Sequence, residues 1–230
     1  MPSFVIGVRT EDESRTTEHF KPMRLKVLWL CLLLMLATLP LHALSAYYPL
    51  PNEGSWWTYR VTTGSGDVLS KKRTLLSITD QNDATWDFEF VDETVETRTK
   101  QLLYLHETGL FLASTWEGNP ERFRRYDPPY HIAVAQDEPR DRDYRGHLRE
   151  GDSKLPLEER IVIRGVEEVN VPAGVFRALR VDVLNEQNPS KPKSSCWYAE
   201  HVGLVKTSSA DTVEELTGYH LVPHYPEPET

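Results

Sequence analysis

Apolar and polar residues alternate with a period of two through most of the chain beyond residue 46, with turn residues breaking the rhythm at short intervals. Successive side chains of a strand point to opposite faces, so this rhythm fits strands buried on one side and leaves little room for helices. Trp57, Tyr59 and Val61 alternate with Thr58, Arg60 and Thr62, and Gly64-Ser65-Gly66-Asp67 separates that run from a second at 68–79. Gly- and Asp-rich breaks between alternating runs are hairpin chemistry. The clearest run places Trp86, Phe88 and Phe90 on one face and Asp87 and Glu89 on the other. Further strands are predicted over 93–106, 110–115, 157–171, 176–184, 196–199, 204–208 and 212–222. About ten antiparallel strands in one chain imply a sandwich, a barrel or a strongly curved sheet.

One stretch departs from the pattern. Residues 117–154 carry Pro120, Pro128, Pro129 and Pro139 among Arg122, Arg124, Arg125, Asp137, Arg140, Asp141, Arg142 and Asp143. This composition predicts a long irregular loop with one short strand near 132–135, either a solvated connection or a lid. Residues 185–195 are predicted to form a second polar loop. Neither a repeat nor a composition break divides 46–230, which is expected to form a single all-β domain with a frayed tail from 223.

Upstream, Met23-Arg24-Leu25-Lys26 is a short basic start, 27–39 is apolar, and Ala43-Leu44-Ser45-Ala46 supplies small residues. That order is the signature of a secretory signal, so 23–45 is predicted to be a signal helix cleaved after Ser45. The apolar run is about 13 residues, short of the roughly 20 that a bilayer core demands, which favours cleavage over a retained anchor. Residues 1–22 are polar and irregular and are set outside the fold as an over-extended start. Leu30 before Cys31 is too large for lipoprotein processing. The mature domain is therefore expected in the periplasm or outside the cell, touching a membrane only through its leader if that stays uncleaved. Cys196 then remains alone, with no partner for an intramolecular disulfide.

A formal net charge of -9 argues against nucleic-acid binding, which favours a basic face. No group of residues compels a chemistry. Cys196 and His201 fall on opposite faces of an extended strand, and Cys196 reads as a buried structural thiol. His220 and His224 lack the further donors a zinc site needs, so no metal and no cofactor is expected. Gly64-Ser65-Gly66 does not match a nucleophile elbow. The adjacent carboxylates Glu158-Glu159, Glu167-Glu168 and Glu214-Glu215 point to opposite faces and cannot form a catalytic pair.

Three stretches carry a resemblance: Tyr48-Pro49-Leu50 to Gly54-Ser55-Trp56-Trp57-Thr58-Tyr59, Val169-Asn170-Val171-Pro172-Ala173-Gly174-Val175-Phe176, and Trp197-Tyr198-Ala199-Glu200-His201-Val202-Gly203-Leu204-Val205-Lys206. Their order and spacing resemble bacterial exported domains of the TapB-like type, which are similar to the LolA and LolB lipoprotein carriers. The Arg- and Asp-rich stretch after Pro128-Pro129 departs from the more apolar segment expected there. The resemblance implies a single antiparallel, strongly curved sheet or half-barrel with little helix, and no catalytic residues. It implies structural roles for Pro172, Gly174, Trp197 and Gly203. The expected function is non-enzymatic: an envelope protein holding an apolar or lipid-like ligand, or a lipidated partner, on a concave face built from Trp86, Phe88, Phe90, Trp57 and Tyr59. A purely structural or protein-interaction β module is the second reading, and a hydrolase using the 117–154 segment is the third. Amino-terminal sequencing of the protein recovered from its host is expected to begin at Ala46 or Tyr47; an intact Met1 in the cytoplasm would overturn the export reading.

Overall fold

The computed structural model describes Tyr47 and residues 52–81, 85–106, 109–118, 122–133, 141–185 and 188–223. The predicted leader and His224 lie outside the described residues. Twelve strands form among the described residues: β1 (Trp56–Thr63), β2 (Val68–Asp80), β3 (Trp86–Glu93), β4 (Arg98–His106), β5 (Gly109–Glu117) and β6 (Arg122–Ala133). β7 (Asp141–Glu150), β8 (Ser153–Val171), β9 (Gly174–Asn185), β10 (Asn188–Ala199), β11 (Gly203–Ser209) and β12 (Thr212–His220) complete the set. Each strand pairs antiparallel with its neighbour in sequence, and β12 returns to β1, so the sheet is a closed up-and-down barrel.

The expected half-barrel is thus corrected to a closed barrel. An open sheet would leave two strands with unpaired backbone donors and acceptors, and closure removes both edges. The seam runs from Trp56 opposite His220 to Thr63 opposite Thr212. Beyond it, the Asn52 amide donates to the Val222 carbonyl at 2.9 Å and the Val222 amide to Ser55 Oγ at 2.8 Å. Both chain ends of the barrel are therefore tied to each other.

The predicted irregular loop at 117–154 is also corrected, because it contains β6 and β7. Its charges are cross-strand partners: Arg124 Nε donates to Glu150 Oε2 at 2.8 Å, and Arg149 Nη2 to Asp127 Oδ2 at 2.7 Å. Pro128 and Pro129 are accommodated by a local departure from the ladder. Leu112 pairs with Tyr130 and Ser114 with Arg125, so residues 126–129 face Ala113 alone. Pairing of β6 with β7 stops at Asp127. A proline has no N–H to give a ladder, and this one is not asked for it. Likewise, the polar stretch expected as a loop at 185–195 is largely the first part of β10.

The β8–β9 hairpin turns through Pro172-Ala173, with Val171 paired to Gly174. Gly174 has φ +138°, a region that side chains with a Cβ avoid. The tip reaches β12, where the Ala173 amide donates to the Leu216 carbonyl at 2.9 Å. Val169, Val171 and Ala178 thereby join a core with Trp57, Leu75, Val205 and Leu216. A second core gathers Tyr47, Tyr144, Ile161, Ile163, Leu179, Val181 and Tyr198.

Candidate functional site: the barrel interior

Cross-strand partners share a face, so the register shows which residues look inward. Trp57 pairs with Arg73, Tyr59 with Lys71, Leu75 with Phe90, and Phe90 with Gln101. Phe88 pairs with Leu103, which pairs with Leu112. Residues from this side of the barrel meet Tyr198, Gly203 and Leu204 of β10 and β11 around one cavity of about 220 Å³. β3 to β5 do not neighbour β10 or β11 in the sheet, so a cavity touching both lies inside the barrel.

Trp57, Tyr59, Phe88 and Phe90 all line this cavity. The Trp57 and Phe90 rings lie 5.9 Å apart, and the Phe88 and Phe90 rings 6.2 Å. Trp86 packs against the same core but is not part of the cavity wall. The polar tips are turned into the backbone: Trp57 Nε1 donates to the Val202 carbonyl at 2.7 Å and Tyr59 Oη to that of Leu204 at 2.9 Å. Burial raises the Tyr59 hydroxyl well above its ordinary value, so the phenol stays neutral. Gly203, at φ +89°, sits on the wall beside the bulge at Trp197/Tyr198. Trp197 turns to the outer face, with Arg180 and Lys206 at 5.3 and 5.9 Å from its ring centre.

A belt of charges crosses the interior next to the aromatic wall. Arg73 Nε and Nη2 donate to the two oxygens of Asp92, each at 2.7 Å, and Nη2 also reaches Gln101 Oε1 at 3.2 Å. Lys71 stands 5.1 Å from the Tyr59 ring centre, donates to Glu214 on β12, and is 4.0 Å from Asp92. Two cations thus meet two anions across β12, β1, β2 and β3. Burial pushes the Asp92 carboxyl up, but the charge and hydrogen bonds of Arg73, with Lys71 nearby, outweigh it and hold the group below the usual carboxylate range. Asp92 continues the Trp86, Phe88, Phe90 alternation, so its inward direction was legible in the sequence. The inward direction of Lys71 and Arg73 was not, because Lys71-Lys72-Arg73 puts cations on both faces.

A second cavity, of about 300 Å³, is lined by Tyr126, Tyr130, Leu148, Leu157, Glu159 and Lys193 among others, and shares Leu112 and Ile132 with the first. Buried Glu159 accepts from Tyr130 Oη at 2.5 Å and is paired with Lys193. Burial, with Glu159 beside it, raises the Tyr130 hydroxyl above its ordinary value. Cys196 is half-buried on β10, paired with Val181 and packed against the second core. Burial pushes its thiol up to about 11, which keeps it protonated and poorly nucleophilic. His220 lies opposite Trp56 on the seam, and His201 sits in the exposed turn before Gly203. No group of three or more metal-ligating side chains occurs among the described residues.

No protein-family model matches the chain, and no curated protein matches it. Two crystal structures are similar in backbone. One is a candidate lipoprotein from Parabacteroides distasonis, 14% identical, aligned over 76% of this chain and 98% of its own, with a TM-score of 0.44. The other is a candidate exported protein with a YmcC-like fold from Bacteroides fragilis, 15% identical, aligned over 74% of this chain and 97% of its own, with a TM-score of 0.45. Overlap and identity at that level fix neither fold nor function.

The belt makes a testable demand on stability. A carboxyl held low in the folded state stabilises the fold above the unfolded value of about 4, and that contribution is lost as pH falls through the lower folded-state value. Asp92→Asn leaves Arg73 without its counter-ion and is expected to cost about 3–5 kcal/mol at neutral pH. Urea unfolding should show this deficit at pH 7 and a smaller one in acid, where Asp92 of the wild type protonates. An equal deficit at both pH values would show that the carboxylate charge is not what the belt needs.

Proposed function

We propose that this chain is an exported, non-enzymatic binding protein that takes an apolar or amphiphilic ligand inside its barrel. The observation that carries the reading is the cavity of about 220 Å³ walled by Trp57, Tyr59, Phe88, Phe90, Leu103, Leu110 and Leu112. Cavities of about 150 Å³ with purely apolar walls take up small apolar molecules, and the aromatic and leucine part of this wall is of that kind. Binding sites of this kind are mostly apolar, with a few placed polar groups, and barrel interiors are common locations for them.

The outer wall supports a carrier bathed in water. It bears Arg60–Glu215–Lys206, Arg98–Glu93, Lys100–Glu89 and Arg164–Asp182, ion pairs whose cations are about a quarter or more exposed. A barrel that spans a bilayer needs an apolar outer band; here solvent-exposed ion pairs stud the outer wall, while Trp57, Phe88 and Phe90 line the interior beside the paired charges of the belt. Export is supported by the basic, apolar and small-residue order of 23–46. A carrier is favoured over a hydrolase because the interior carboxylates Asp92, Glu214 and Glu159 are each occupied by a cation.

The test uses N-phenyl-1-naphthylamine, an uncharged probe that brightens in apolar surroundings. The wild-type protein is expected to bind it saturably, and Leu103→Trp, which fills the cavity, to lose that binding while still melting cooperatively at a cost of about 1–3 kcal/mol. An absence of binding by the wild type, or full binding by a folded Leu103→Trp, would mean that the interior is ordinary core.

A further inference from the structure

The charges around the two cavities say what kind of ligand the interior can hold. The inference rests on the reading of that interior as a ligand chamber. Arg73 is the charged side chain on the wall of the first cavity, and both Asp92 oxygens already occupy its Nε and Nη2. Lys71 is matched in the same way by Glu214. In the second cavity, Glu159 and Lys193 are the charged liners, and they are paired with each other. Among the described residues that line either cavity, each charge therefore has its counter-charge within the protein.

An ionic ligand head entering this space would find no unmatched partner. Arg73 keeps the N–H groups of Nη1 free of Asp92, but its charge is already neutralised, as is that of Glu159. A carboxylate or an ammonium would therefore enter as an added buried charge without compensation, which is among the costliest changes an interior can undergo. A neutral polar group brings no such charge. Gln101 offers it a partner: the side-chain oxygen accepts from Arg73, which leaves the amide nitrogen as a donor on the cavity wall. Around that donor stand Phe88, Phe90, Leu103, Leu110 and Leu112. Leu112 and Ile132 are common to both cavities, so the two lie side by side.

We infer that the ligand is an uncharged amphiphile: a single apolar chain bearing an ester, amide or hydroxyl oxygen that accepts a hydrogen bond from Gln101. Fatty-acid anions and alkylammonium cations of the same length are excluded by the paired charges.

Competition against bound N-phenyl-1-naphthylamine at pH 7 tests this with three C12 ligands: monolaurin, laurate and dodecylammonium, each kept below its micelle concentration. Monolaurin is expected to displace the probe at a concentration at least tenfold lower than either ion. Laurate or dodecylammonium competing as well as monolaurin would overturn the inference while leaving the chamber standing. Gln101→Leu is expected to weaken monolaurin about five- to tenfold, the size of one hydrogen bond; unchanged monolaurin binding by the folded variant would overturn the placement of the polar group. Failure of the wild type to bind the probe at all would overturn the chamber, and this inference with it.

Discussion

Pairing of β1 with β12 turns a strip of twelve strands into an enclosure, and the interior chemistry depends on it. The belt of ions crosses this seam. Lys71 on β2 reaches over Tyr59 on β1 to Glu214 on β12, while Arg73 ties β2 to Asp92 on β3 and Gln101 on β4. Opening the seam would strand Lys71 and Glu214 from each other and expose the Trp57, Phe88 and Phe90 surface together. Closure, the ion belt and the apolar cavity are thus parts of one arrangement.

That arrangement is a sorting of charge. Outside, pairs such as Arg60–Glu215 sit in water, where each adds little stability. Inside, Arg73–Asp92 is bidentate and screened from solvent, so losing one partner is severe while the intact pair presents no net charge. Trp197 marks the boundary. It lies on a strand whose inward residues line the interior, yet its ring is held between Arg180 and Lys206 on the outer face.

The alternation in the sequence was enough to place β1 to β5, and the aromatic face of Trp86, Phe88 and Phe90 follows from it directly. Closure was not legible, because nothing local to Trp57 or Leu216 states that the first strand meets the last. β6 and β7 were hidden for a different reason. Their inward positions include Arg124 and Glu150, whose mutual neutralisation is a tertiary event, and Pro128-Pro129 reads as a break unless the partner strand is known to make room for it. The belt was half visible: Asp92 keeps the rhythm of the aromatic trio, whereas the run Lys71-Lys72-Arg73 conceals which cations turn inward. Glu159 was read correctly as facing away from Glu158, but its burial with Tyr130 and Lys193 depends on strands that the proline-rich stretch had masked.

A ligand chamber inside a closed barrel is tested most directly by locating the bound molecule. Intermolecular nuclear Overhauser effects can be recorded between monolaurin and protein labelled with 13C at leucine, isoleucine and valine methyls. The expected contacts are with Leu103, Leu112 and Ile132, which line the first cavity, the last two of them shared with the second. Contacts confined to exposed methyls away from the interior, such as those of Val68 and Val95, would contradict a binding site in the interior.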